Sequence, residues 1–129
     1  MPRILLVDDD EPFRKMLRLS LVRLGHEVVE ARDGREAVRA VREAPPDVMI
    51  TDLVMPEKEG LETIDEVRRQ YPGLKIIAIS GGGRVNASDY LKIARAMGAD
   101  QTLAKPFSID EIATMLANVL GGPSSPDGA

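Results

Sequence analysis

The chain has 129 residues, with 17 basic and 21 acidic side chains, a net charge of −4 and no cysteine. That length suits one domain able to bury about two-thirds of the unfolded chain's surface. The acidic balance argues against direct nucleic-acid binding, which needs a basic face, and the lack of cysteine excludes disulfides, thiol nucleophiles and thiolate metal sites.

No apolar run approaches the roughly 20 residues of a membrane span. A strand that starts by Ile4 leaves no room for a signal peptide. The expectation is a cytoplasmic domain with no membrane contact.

Arg3 to Val7 is an apolar run that ends in Asp8, Asp9 and Asp10, the pattern of a buried parallel strand. Phe13, Met16, Leu17, Leu21 and Leu24 then recur at helical spacing, and Gly25 is a natural stop. Glu27 to Ala31 reads as a short second strand, followed by a turn at Asp33-Gly34. Ala37, Val38 and Val41 mark a second helix, which Pro45-Pro46 terminates. Val48, Met49 and Ile50 form a third strand with Asp52 at its tip. Leu61, Ile64 and Val67 mark a third helix that stops near Tyr71-Pro72-Gly73. Lys75 to Ile79 is a fourth strand, ended by Ser80 and Gly81-Gly82-Gly83. Tyr90, Leu91, Ala94 and Met97 give a fourth helix closed by Gly98. Gln101 to Ala104 is a weak fifth strand, placed by rhythm. Ser108 and Glu111 form a capping box, after which Ile109, Ile112, Leu116 and Leu120 face a core. The stretch from Gly121 to Ala129 is rich in Gly, Pro and Ser and reads as a flexible C-terminal tail.

Strand and helix alternate five times with short connections. That predicts an α/β fold, a single doubly wound five-stranded parallel sheet covered by helices on both faces. The expected order is 2-1-3-4-5, flavodoxin-like, with strands one and three adjacent at the switch point where such sheets bind ligands.

In that order Asp8, Asp9 and Asp52 converge on one sheet edge. Three carboxylates together raise one another's pKa, and a hard divalent cation relieves the repulsion. Magnesium uses one or two carboxylates and completes its shell with water and phosphate, so the cluster reads as a magnesium site for a phosphoryl ligand. Ser80 offers a hydroxyl and Lys105 an ammonium for the phosphoryl oxygens, and Asp52 is the nucleophile. Each residue taken singly has a plainer reading. The acidic run could cap a helix, Asp52 and Ser80 could be loop residues, and Lys105 a surface lysine. Asp10 is expected to cap, His26 to lie at the surface, and Arg68-Arg69 to be a solvated helix face. Met49, Met55, Met97 and Met115 fit packing positions.

The motifs ILLVDDD, TDLVMP with Gly60 eight residues beyond Asp52, IIAIS and AKPF together resemble the response regulator receiver domain of two-component signalling. The resemblance covers about residues 3–120, making 1–120 the receiver and 121–129 the tail of a stand-alone module. It implies that Asp52 accepts a phosphoryl group from a sensor histidine kinase or a phosphotransfer protein. It implies that Asp9 and Asp52 bind Mg2+ directly, together with the backbone carbonyl of Val54, and that Asp8 acts through water. Ser80 becomes the switch hydroxyl and Lys105 the phosphoryl-binding ammonium, and Lys105-Pro106 is expected to be a cis peptide. The expected product is a signal passed by protein contact to a downstream partner, with homodimerisation left open, and not a turnover enzyme.

Two features depart from the family pattern. Thr102 stands where an aromatic switch residue is usual, three positions before Lys105, and the Ser80–Lys105 interval is lengthened by the glycine run. Residues from Gly81 to Ser88 are therefore expected to order when the protein is phosphorylated.

The alternative is an aspartyl-phosphate phosphohydrolase of haloacid-dehalogenase type, since Asp8 and Asp10 form an Asp-x-Asp pattern. Those enzymes need an acidic pair after the lysine, where this chain has Pro106-Phe107, and usually a cap domain. A flavodoxin-type cofactor binder would need a hydroxyl-rich loop where three acids stand.

Overall fold

A computed structural model describes residues 2–53, 59–80 and 87–121, with the backbone alone for residues 59 and 87–91. Five strands and five helices alternate: β1 (Arg3–Val7), α1 (Glu11–Arg23), β2 (Glu27–Ala31), α2 (Gly34–Glu43), β3 (Val48–Asp52), α3 (Glu59–Gln70), β4 (Lys75–Ser80), α4 (Ala87–Met97), β5 (Gln101–Ala104) and α5 (Ile109–Gly121). All pairings are parallel, in the order β2-β1-β3-β4-β5. Gly121, where the expected tail begins, is the last residue of α5. Residues 122–129 lie outside the described residues, as do Val54, Met55 and Gly81 to Asn86.

Side chains alternate across each strand, so the sheet carries a core on either face. Ile4, Leu6, Val48, Ile50, Ile77 and Ile79 pack with Leu17 and Leu21 of α1 and Ile112, Leu116 and Val119 of α5. Leu5, Val7, Met49, Ile76 and Ala78 pack on the other face with α2, α3 and α4.

Local chemistry fixes the ends of the helices. The Asp10 side chain accepts a hydrogen bond from the Phe13 amide at 3.2 Å, so it caps α1. Gly25, at φ 97°, closes α1. There the His26 amide reaches the Leu21 carbonyl and the Gly25 amide reaches Val22, the paired bonds of a Schellman motif. Ser108 and Glu111 exchange backbone and side-chain bonds of 3.1 and 2.8 Å at the start of α5, the expected capping box.

Several side chains depart from expectation. Met16 and Leu24 are 59% and 44% exposed, because the buried stripe of α1 runs through Arg14, Leu17 and Leu21 and Leu24 lies past the helix end. Ile109 is exposed because it opens α5 before the first full turn reaches the sheet. His26 is half-buried in the turn after α1, and its Nδ1 has no hydrogen-bond partner among the described residues. Arg68 is not a solvated face residue: its guanidinium bonds the carbonyls of Gly98 and Pro72 and the carboxylate of Asp100. It ties α3 to the α4–β5 turn, while Arg69 stays exposed.

Candidate functional site

Strand register assembles the site. Val7 pairs with Thr51, so Asp8 and Asp52 emerge side by side from adjacent strands. Asp52 pairs with Ile79, and Ser80 pairs with Ala104. The Lys105 amide extends that ladder to the Ser80 carbonyl at 2.8 Å. Parity then sets direction: Asp8, Asp52 and Lys105 continue the rows Ile4–Leu6, Val48–Ile50 and Leu103, all facing α1 and α5.

The Lys105 Nζ lies 3.3 Å from an Asp52 carboxylate oxygen and 3.5 Å from one of Asp8. Asp8, Asp52 and Ser80 are buried at 1%, 4% and 0% exposure, whereas Asp9 is exposed. The other Asp8 oxygen accepts the Asp10 amide at 2.9 Å. Burial pushes the Asp8 carboxyl from its usual 3.8 up to about 6; the Asp52 charge adds to this, while the Asp10 amide and Lys105 oppose it. The rise expected from mutual repulsion is thus present, but desolvation is its first cause.

Carboxylate oxygens of Asp8, Asp9 and Asp52 all lie within 4.8 Å of one another. Ligands of an octahedral magnesium ion stand about 3–4 Å apart, so a small closure of this cluster fits one. The donors are hard oxygens carrying excess negative charge, as such an ion requires. The Ser80 Oγ is buried with no hydrogen-bond partner among the described residues. The Lys105–Pro106 peptide bond is cis. Thr102 is half-buried on the strand row opposite Leu103.

Sequence reasoning did not single out Arg14. It is 4% exposed, donates 2.6 Å to the Asp8 carbonyl and pairs with Glu30 at 2.7 Å. It therefore braces the end of β1 against β2. Its signal was a charged residue on the apolar stripe shared with Leu17 and Leu21. Phe13, one of the helically spaced apolar residues, is half-buried, and its ring centroid lies 3.9 Å from the Lys105 Nζ. Gly60 allows α3 to start directly on β3: a Cβ there would collide with the Asp52 carbonyl oxygen and lie 2.8 Å from the Leu53 Cα.

No helix among the described residues is long and apolar enough to cross a membrane. The family model of the response regulator receiver domain matches residues 4–117. Response regulator MprA of Mycolicibacterium vanbaalenii is 36% identical over 127 residues, covering 98% of this chain and 54% of that protein. DNA-binding transcriptional regulator NtrC of Azospirillum brasilense is 34% identical over 123 residues, 95% of this chain and 25% of that protein. The chain thus spans about half the length of the first of these relatives and a quarter of the second. Chemotaxis protein CheY4 of Vibrio cholerae superposes with a TM-score of 0.82 at 34% identity, over 93% of this chain and 99% of that one. By fold and by sequence across nearly all its described residues, the chain belongs to the response regulator receiver domains, signalling modules whose output depends on phosphorylation.

Proposed function

We propose that Asp52 is the phosphoryl acceptor and that a histidine kinase or phosphotransfer protein is the donor. The observation that carries this is one ammonium, Lys105, shared by two buried carboxylates at the C-terminal edge of the sheet. An Asp52 oxygen forms a bond to the phosphorus of a phosphohistidine. The P–N bond breaks, and its electron pair passes to the imidazole nitrogen, which takes a proton from solvent. An ionised carboxylate needs no base for this attack. Lys105 faces the incoming phosphoryl oxygens and balances their charge. The buried hydroxyl of Ser80, which has no hydrogen-bond partner among the described residues, gains an acceptor when a phosphoryl oxygen arrives.

Asp9 and Asp52 would hold Mg2+ directly and Asp8 through water, with the Val54 carbonyl, outside the described residues, completing the protein's share. When bound, the ion neutralises phosphoryl charge at the acidic cluster. The protein acts as a switch read by protein contact, not as a turnover enzyme.

Incubation with acetyl phosphate and magnesium should add one phosphoryl mass in a single burst, and Asp52→Asn should abolish it. Unchanged labelling of Asp52→Asn refutes the assignment. Steady phosphate release without a burst favours a phosphohydrolase.

A further inference from the structure

We propose that Phe13 is a positioning residue for Lys105. Its ring face holds the ammonium over Asp52 as a third, uncharged partner. This inference rests on the reading of Asp52 as the phosphoryl acceptor.

The ammonium has three donors and no acceptor, on a flexible four-carbon stem. Its distances to Asp52 and Asp8, 3.3 and 3.5 Å, exceed the about 2.7–2.9 Å of a firm charge-assisted bond. Neither carboxylate by itself fixes the head group. Phe13 closes a third side: Nζ lies 3.9 Å from the ring centroid, well inside the roughly 6 Å range of attraction between a cation and an aromatic face.

The ring is itself restrained. Phe13 sits in the first turn of α1, where its amide bonds the Asp10 cap. Phe107 meets it edge to face, with centroids 6.1 Å apart and planes at 89°. The Phe13–Phe107 pair packs on the α1/α5 core, the face toward which the Lys105 row points.

An uncharged partner suits the task. A third carboxylate there would compete with the phosphoryl group for the ammonium and add to the acidic cluster. A ring face keeps the ammonium within reach of Asp52 yet releases it to a phosphoryl oxygen, whose full charge attracts it more strongly.

Two readouts test this. In the metal-free protein, shielding by the Phe13 ring should move the Lys105 Hε resonances upfield, and Phe13→Leu should remove that displacement. The same substitution should slow phosphorylation by acetyl phosphate and weaken beryllofluoride binding roughly three- to tenfold. Phe13→Tyr, which keeps the ring, should restore most of both. If leucine disturbs folding, phenylalanines bearing one to five ring fluorines in place of Phe13 keep the shape while draining charge from the face. The rate should then fall stepwise with each fluorine. A flat fluorine series, or Lys105 resonances indifferent to Phe13→Leu, overturns the proposal. A flat series with Asp52 still labelled sinks the Phe13 role alone. If Asp52 takes no label, that reading fails, and the Lys105 resonances still decide whether Phe13 holds the ammonium.

Discussion

Folding withdraws the Asp8 carboxylate almost wholly from water, and its raised pKa makes that a statement about stability. The folded state holds its proton up to about pH 6, whereas an unfolded aspartate releases it near 3.8. Between those values the folded chain binds more protons than the unfolded one. The Asp8 contribution is therefore fully present below pH 4, declines as pH rises through 6, and stays lost above. The shift is worth at most about 3 kcal/mol. Glu30 acts in the opposite sense. Burial alone would raise its pKa, but the Arg14 hydrogen bond and the charges of Lys15, Arg14 and Arg18 hold it below the ordinary value. Comparing wild type with Asp8→Asn isolates Asp8. Without magnesium, urea unfolding of wild type should show stability falling from pH 4 to 7 relative to the variant, so Asp8→Asn should be the more stable of the two at pH 7. Magnesium should narrow that difference by stabilising wild type. Parallel pH profiles would show that the buried carboxylate costs nothing. The placement of Asp8, Asp52, Ser80 and Lys105 at strand ends was legible because each closes or directly follows a strand pattern. The pairing of Arg14 with Glu30 was not, because nothing in the local sequence says which helix face a guanidinium occupies.

Helices and strands were legible for different reasons. The first four strands are short apolar runs bounded by breakers, whereas β5, QTLA, was placed by rhythm alone, and all five match their expected cores. The helices were found from apolar spacing, which locates a helix better than it locates its buried stripe. Met16 fits the spacing but not the stripe, and Arg14 fits the stripe but not the hydropathy. Arg68 was unreadable because its partners, Gly98 and Asp100, are supplied by the α4–β5 turn. The junction of β3 and α3 offers a sharper test. A side chain at Gly60 must push the start of α3 away from the backbone of Asp52 and Leu53. Gly60→Ala should cost about 1–3 kcal/mol and slow phosphorylation of Asp52, since the strain falls on the proposed acceptor's own peptide. Gly73 has nothing within 4 Å of its would-be Cβ, so Gly73→Ala should fall within about 0.5 kcal/mol of wild type. Urea melts of the two variants decide this, and equal stabilities would mean that α3 shifts without cost.

On the scale of the whole molecule, the site exists only when the sheet is complete, because Asp8 and Lys105 lie 97 residues apart and meet through strand order alone. That order was legible because right-handed crossovers leave few alternatives for five alternating units. The meeting of Phe13 with Lys105 was not, because it depends on α1 and the end of β5 sharing one face. The same geometry constrains how a phosphoryl signal leaves the site. On the proposed reading, a phosphoryl group on Asp52 would add about −1.5 to −2 charges near Lys105 and Ser80. Thr102 lies on the row opposite Leu103 and has no ring to swing, so β5 is a poor conduit. Ser80 is followed in the sequence by Gly81-Gly82-Gly83, which lie outside the described residues, and glycine restricts a chain's backbone less than other residues do. Lys105 leads through Phe13 to the start of α1 and through Phe107 to the start of α5. Hydrogen exchange with and without beryllofluoride should therefore show the largest gain of protection over residues 81–90. Smaller changes should follow in residues 11–16 and 105–111, and the least across Gln101 to Leu103. If β5 responds as strongly as the glycine segment, the signal crosses the Thr102 position after all. If residues 81–90 stay unprotected while 11–16 and 105–111 respond, the output passes through Lys105 and its aromatic partners, not through Ser80.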